Sequence, residues 1–389
     1  MIAAQSKRIV SIDILRGIVM VIMALDHTRD YFTNFTHNPT DLEYASTPMF
    51  LTRWITHFCA PIFVFLSGTS AFLSMQKGKT TKQQAGFLLS RGIWLIILEF
   101  TIVRFGWVFN LDYTQVFVQV IWAIGWSMIF LSGLIFLPRK LILAIALSII
   151  FLHNAFDGVH AASLGDYGPW WNVFHEFGNI HLFGDVSMFV LYPLVPWIAV
   201  MAAGYCFGGI MQIEEGQRDK WLYRIGLSAI GLFIALRFTN AYGDSALWSS
   251  QGSWHRTVLS FINVTKYPPS LLYLLMTIGP AITLLPMLEK MRNKVGNFFI
   301  VYGRVPMFYY ILHIYLIHLL SMMIGVWVYD VPSHYFTDNG KALSTKPNWG
   351  YSLVGVYLYW MLIIALLYLP CRWFMQVKMT HKKWWLSYL

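Results

Sequence analysis

Long, nearly uninterrupted apolar runs are the feature that most limits how this chain can fold. Val116–Leu137 and Ser352–Leu369 reach the roughly 20 residues with which a helix crosses a bilayer. Only 12% of the 389 residues are charged, whereas soluble globular domains carry about 25% charged residues. The sequence therefore predicts an all-α, polytopic helical bundle in a lipid bilayer, with residues 1–389 as one domain. A soluble, disordered or disulfide-rich secreted chain is excluded.

Hydropathy and helix-breaking residues divide the chain into about ten predicted spans. Basic residues, among them Lys7, Arg8, Lys77 and Lys382, concentrate in the loops on one side, and most acidic residues lie on the other. Because basic loops stay in the cytoplasm, we expect both termini to be cytoplasmic. The predicted spans are 9–27, 54–75, 87–106, 116–137, 141–153, 186–210, 222–240, 270–288, 305–328 and 351–371.

The net charge of +10 does not indicate a nucleic-acid partner. Lys and Arg residues lie between apolar runs, and no basic patch is interleaved with aromatic residues on a soluble module. Cys59, Cys206 and Cys371 are far apart, and no HxxxH or HExxH pair occurs. We therefore predict no nucleic-acid binding and no metal, and we interpret the cysteines as small buried apolar side chains.

The first predicted span carries an unusual polar stripe. At 100° per residue, Asp13, Arg16 and His27 share one narrow helix face, which is about 21 Å long. Ionisable side chains inside a bilayer are costly, so they face the bundle interior or a wet cavity. Asp13 and Arg16, three residues apart, could equally form a purely structural ion pair.

His27 is the strongest candidate for a catalytic group. A carboxylate that orients an imidazole raises its basicity, as a general base requires. Helical spacing favours Asp30 as that partner, and Asp26 takes its place if the helix ends at His27. The alternative is an interfacial histidine whose hydrogen bonds are satisfied by lipid headgroups. His313, in the middle of a later span, is a further buried histidine.

Several motifs resemble the heparan-alpha-glucosaminide N-acetyltransferase-like family of membrane proteins. The layout of Leu15-Arg16-Gly17 followed by His27 is also similar to bacterial integral-membrane O-acyltransferases, whose essential histidine closes the first helix. The position that matches the catalytic histidine of the lysosomal enzyme falls near Thr47, which leaves His27 favoured, with His57 as second candidate. The motifs that carry the resemblance are Ser11–Gly17, Met23–Asp30, Pro61–Ser70, Lys266–Ser270 and Gly303–His313.

The resemblance implies acetyl transfer across a membrane, and the expected location is the bacterial cytoplasmic membrane. Acetyl-CoA is the expected donor on the cytoplasmic side, and an amine or hydroxyl of an extracytoplasmic sugar is the expected acceptor. His27 acts as general base or acetyl carrier, and a homodimer is one alternative for the assembly. The residues expected to hold the CoA phosphates are Arg16, Arg91 and Arg304. The residues expected near the acceptor are Arg29, His57, Lys266 and His313.

A proton-coupled transporter or exporter of a small anionic or sugar solute is the alternative function. Buried Asp13, Arg16, Glu99 and His313 would suit a proton relay. The sequence lacks the internal repeat and the paired broken helices that are typical of such transporters. The residues therefore favour the acetyltransferase, with the transporter as the competing hypothesis.

Overall fold

The structure is a computed structural model that describes residues 9–76, 78–338, 349–381 and 383–388. The predicted topology residues Lys7, Arg8, Lys77 and Lys382 lie outside the described residues. The helices within the described ranges are α1 (Val10–Phe32), α2 (Thr47–Thr56), α3 (Cys59–Met75), α4 (Thr81–Leu98), α5 (Arg104–Val108), α6 (Val120–Leu134), α7 (Arg139–Leu152), α8 (Gly168–Phe174), α9 (Leu194–Phe207), α10 (Glu215–Thr239), α11 (Trp254–Ile262), α12 (Leu271–Glu289), α13 (Lys294–Arg304), α14 (Pro306–Val328), α15 (His334–Thr337) and α16 (Leu353–Thr380).

Three short strands form the only sheet in the described part of the chain. They are β1 (Gln115–Val118), β2 (Gly178–Phe183) and β3 (Val186–Val190). Strand β3 lies in the middle, parallel to β1 and antiparallel to β2. The predicted spans 116–137 and 186–210 are therefore wrong at their starts, where the chain is a strand. The reason is that a short apolar run in a buried strand has no periodicity to distinguish it from the first turn of a helix.

The all-α membrane fold is confirmed. Among the described residues, eight helical segments are long and apolar enough to cross a membrane, including the nearly continuous α2–α3 segment, Thr47–Met75. Helix α1 has 23 residues, enough to span, but its charged residues keep it out of this set, and α6 has only 15. The count of about ten spans and the cytoplasmic termini stay predictions.

Helix α1 lies at the centre of the bundle, where it packs against α2, α3, α12, α13, α14 and α16. It crosses α13 at very close range, because a Cβ on Gly17 would fall 1.9 Å from the Phe299 carbonyl oxygen. A Cβ on Gly303 would fall equally close to the carbonyl oxygen of Asp13. These two glycines let the backbones touch, which fixes the position of every side chain on the polar face of α1.

Two buried charged residues order the long connection between α10 and α12. The Arg237 guanidinium donates to the carbonyl oxygens of Ala246, Ser260, Phe261 and Asn263. The Asp244 carboxylate accepts from the Thr265 amide and hydroxyl and from the Ser270 hydroxyl. Because Thr265 and Ser270 flank it, the Lys266–Pro269 segment is held in place beside the end of α1.

Candidate active site

A wide basic cavity, called here the basin, opens at one end of the bundle. Its volume is about 700 Å³, which falls in the range of about 300–1,000 Å³ that is usual for ligand sites. Among the described residues that line it, none is Asp or Glu. The cations that line the basin come from five separate parts of the chain, and they are Arg16, Lys79, Arg91, Arg304 and Lys378.

The Arg16 side chain is held firmly at the inner edge of the basin. Its Nη2 donates to the Ser70 hydroxyl at 2.8 Å, and its Nη1 donates to the Gly303 carbonyl oxygen at 3.2 Å. Asp13 lies 3.6 Å from Arg16 Nη1 and 3.3 Å from Arg304 Nε. Asp13 therefore ties two of the basin's arginines together, and the basin keeps an excess of positive charge.

A narrow apolar passage, the neck, leads from the basin deeper into the bundle. Its volume is about 80 Å³, and its walls include Met20, Met23, Met128 and Met307. Arg16, Ser67 and Arg91 line both the basin and the neck. The residues common to the neck and to the next cavity are Met23, Phe63, Val120 and Tyr310.

The third cavity, the chamber, lies at the opposite end of α1 and has a volume of about 210 Å³. His27 lines it, together with the carboxylates of Asp26 and Asp30. Two cations also line it, Arg53 from α2 and Lys266 from the segment before α12. Basin, neck and chamber thus follow one another along the polar face of α1, from Arg16 to His27, and each shares lining residues with the next. This row of cavities is called here the path.

A second imidazole orients His27. His27 Nδ1 lies 2.7 Å from His313 Nε2, and His313 Nδ1 lies 2.9 Å from the Tyr309 carbonyl oxygen. Because a carbonyl oxygen only accepts, His313 Nδ1 carries the proton and its Nε2 accepts from His27 Nδ1. This chain of hydrogen bonds leaves the lone pair of neutral His27 on Nε2, at the tip of the ring, which is the form that a base or nucleophile needs.

The expected pairing of His27 with a carboxylate is wrong. Asp26 lies 2.8 Å from Arg29 Nη1 and 2.5 Å from Arg53 Nη1, and Asp30 lies 2.6 Å from Arg29 Nη2. Arginines bind carboxylates more strongly than a neutral imidazole does, so both acids turn to them. Spacing along one helix could not reveal His313, which is 286 residues away in the sequence.

The other predicted residues divide between the cavities and the protein interior. Arg16, Arg91 and Arg304 line the basin, and Lys266 lines the chamber. Arg29 is buried behind the chamber between Asp26 and Asp30. His57 is buried with its ring against Tyr273 and is not among the described residues that line the chamber.

Sequence reasoning missed four residues of the path. Nothing in the sequence alone singles out Lys79 and Lys378, which line the basin, or Arg53, which pairs with Asp26. Tyr310 was passed over as one aromatic residue among many, although it lies three residues before His313 on the same helix face. That spacing is the signal that could have found it.

The apolar helices and the adjoining cavities define the class of protein. It is an integral membrane protein in which a row of cavities leads from a cationic basin to a histidine. The sequence model of the heparan-alpha-glucosaminide N-acetyltransferase catalytic domain matches residues 8–250 of the chain. The chain belongs to this family of membrane acetyltransferases. The matched residues include Arg16, His27 and Arg91, whereas Lys266, Arg304 and His313 lie beyond them. No curated protein matches the chain.

Proposed function

We propose that the protein transfers an acetyl group from acetyl-CoA in the basin to an amine or hydroxyl of a sugar in the chamber. The observation that carries this proposal is the row of adjoining cavities, because it leads from a cluster of cations that suits phosphate groups to a histidine with an available nitrogen. The topology expected from the basic loops places the basin on the cytoplasmic side, where acetyl-CoA is made.

The basin suits the nucleotide end of CoA. Arginine guanidinium groups form paired hydrogen bonds with phosphate oxygens, and lysines add point charges. Arg16, Arg91 and Arg304 approach from three different helices, so they can hold phosphates at more than one position. Trp384 and Tyr388 also line the basin and offer aromatic faces for the adenine ring.

The neck suits the pantetheine arm, a linear chain with few charges. Arg16 and His27 are 11 residues apart on α1, which corresponds to about 17 Å along the helix axis. Methionine side chains are flexible and adapt to irregular ligands, so the four that line the neck can pack around an extended arm. A CoA held by its phosphates in the basin would then present its thioester at the chamber.

His27 supplies the proton chemistry. In direct transfer, the acceptor attacks the thioester carbonyl while His27 Nε2 takes its proton, and the CoA thiolate leaves with that proton as free thiol. In the two-step alternative, Nε2 attacks the thioester carbon and the CoA thiolate leaves. The acceptor then attacks the acetyl group on Nε2, the carbon–nitrogen bond to His27 breaks, and the acceptor's proton passes to the thiolate. The hydrogen bond to His313 serves both routes, since it keeps the lone pair on Nε2.

The chamber also supports a polar acceptor. Asp26, Asp30, Arg53 and Lys266 line it, together with the hydroxyl-bearing Tyr192 and Tyr267. Lys266 Nζ lies 5.1 Å from the ring centre of Tyr267 and has no carboxylate partner within ion-pair distance among the described residues. Aromatic rings with charged and hydroxyl neighbours are a suitable lining for a sugar.

Binding of acetyl-CoA to the detergent-purified protein is the first test. Titration calorimetry should give a CoA-specific affinity, with ATP as the control for non-specific phosphate binding. In a second step, radiolabelled acetyl-CoA is supplied with glucosamine and with oligosaccharide acceptors, and transfer is compared between wild type and His27→Ala.

The outcomes separate the two functions derived from the sequence. CoA-specific binding followed by His27-dependent acetyl transfer supports the proposal. A folded protein that binds no acetyl-CoA, yet moves a sugar or anion into proteoliposomes with a proton gradient, would establish the transporter instead.

A further inference from the structure

The junction between neck and chamber is where the thioester of a bound donor must lie. Four described residues line both cavities there, namely Met23, Phe63, Val120 and Tyr310. Of their side chains, only the tyrosine carries a hydrogen-bond donor. A carbonyl that passes from the neck into the chamber therefore meets one side-chain O–H at this boundary.

The surroundings of Tyr310 leave that O–H available to the cavity. Tyr310 is 4% exposed, and its ring packs edge-on against those of His27 and His313, with centres 6.3 and 5.6 Å apart. Within the described residues no hydrogen bond ties the Tyr310 hydroxyl to another group, and the buried Trp107 Nε1–H in the same chamber lining has no partner either. The phenol hydrogen can therefore be donated to a ligand in the chamber.

We infer that the Tyr310 hydroxyl is the oxyanion donor of the reaction, an assignment that rests on the proposed function. The acceptor nitrogen or oxygen forms a bond to the thioester carbon, and the carbonyl electron pair moves to the carbonyl oxygen. Tyr310 stabilises this oxygen by a hydrogen bond and keeps its proton. His27 takes the acceptor's proton, the oxyanion collapses, and the carbon–sulfur bond breaks to release CoA as the thiol.

The positions of the His27, Trp107 and Tyr310 rings fit these roles of base and oxyanion donor. Trp107 lies 4.8 Å from His27 and Tyr310 lies 6.3 Å away, both measured between ring centres. The base and the donor thus lie on neighbouring parts of the same chamber wall. One reacting carbon between them could contact both groups, which is the arrangement that acyl transfer requires.

Tyr310→Phe removes the hydroxyl and keeps the ring. Removal of one oxyanion donor typically lowers kcat by about 10²- to 10³-fold, so we expect a loss of that order with unchanged affinity for acetyl-CoA. Tyr315→Phe is the matched control, because Tyr315 lies on the same helix, α14, and its hydroxyl donates to the Ile102 carbonyl oxygen away from the path. Tyr315 lines none of the three cavities.

A spectroscopic measurement tests the assignment without turnover. The infrared carbonyl stretch of bound acetyl-CoA, labelled with ¹³C at the carbonyl, should lie at lower frequency in wild type and Tyr315→Phe than in Tyr310→Phe. Equal frequencies in all three proteins would overturn the role of Tyr310 while leaving the acetyltransferase proposal intact. Failure of the wild-type protein to bind acetyl-CoA would overturn both.

Discussion

The basin and the chamber lie at opposite ends of the same helix and are built in opposite ways. The basin is wide, and its charged lining is positive throughout the described residues. The chamber is less than a third as large and balances Asp26 and Asp30 against Arg53 and Lys266, with Arg29 behind them. The His27 imidazole in the chamber is held by hydrogen bonds between uncharged groups.

Under the proposed function, this difference would separate recognition of the donor from the chemistry. An excess of positive charge binds a polyanion without requiring an exact geometry. The affinity of such electrostatic binding falls as the salt concentration rises. A base, by contrast, needs a fixed tautomer and direction, which the His27–His313 pair provides. Mutations in the basin should therefore change donor affinity, and mutations in the chamber should change turnover.

His27→Ala should have the largest effect. We expect turnover to fall by about 10³- to 10⁴-fold, because general-base catalysis contributes up to that much, while acetyl-CoA affinity stays the same. Steady-state kinetics and calorimetry measure the two quantities separately. His255→Ala is the control, since His255 is exposed and lies outside the three cavities. Full activity of His27→Ala would show that the reaction does not depend on the histidine in the chamber.

His313→Phe should have the next largest effect. The ring and its stacking on Tyr309 are kept, but the acceptor for His27 Nδ1 is lost. Loss of a partner that orients a histidine costs about 10- to 100-fold in known sites, and we expect kcat to fall by that amount. His313→Gln, which keeps an accepting oxygen, should recover part of the rate. Equal losses in both variants would point to packing alone.

Arg91→Ala should change donor affinity in the basin rather than turnover in the chamber. A hydrogen bond to a charged group contributes about 1.5–3 kcal/mol, so acetyl-CoA affinity should fall by about tenfold or more with little change in kcat. Arg224→Ala removes an exposed arginine outside the basin and should leave affinity unchanged. Loss of kcat without loss of affinity in Arg91→Ala would contradict the separation of the two regions.

Asp30→Asn should have the smallest effect, although sequence spacing favoured Asp30 as the partner of His27. Its carboxylate pairs with the buried Arg29, which keeps Asp26 as a second partner in the variant. Because Asp30 contacts Arg29 rather than His27, we expect kcat to change less than in the other variants, and the loss of the ion pair to lower stability instead. A loss of kcat as large as that of His27→Ala would instead support Asp30 as the functional partner of His27.

The sequence predicted the features that depend on local pattern. Apolar runs predicted the helical membrane fold, and helical periodicity placed Arg16 and His27 on one face of α1, where both now line the same path. Arg91 and Arg304 were expected with Arg16 and do line the basin. The placement of Arg16 and His27 needed only the 3.6-residue repeat and the cost of a buried charge. The expectation for Arg91 and Arg304 came from the family resemblance.

The features that depend on distant contacts could not be predicted. His313 reaches His27 from α14, and Glu99, which was considered for a proton relay, accepts a hydrogen bond from the Gln119 amide. The strands β1 and β3 pair across about 70 residues of chain, as Gln115 with Ser187. In each case the partner is chosen by tertiary packing, about which spacing along one segment carries no information.

A path that runs most of the way through a membrane protein is also a danger to the cell, because ions that leak through it dissipate the membrane potential. We expect the neck to oppose such leakage. Narrow passages lined by apolar side chains are poorly wetted, so an ion would have to shed its water to pass the methionines of the neck. Arg16 and Arg91 at the same constriction repel cations, protons included. The narrowness that admits a linear acyl carrier would thus also serve as electrical insulation.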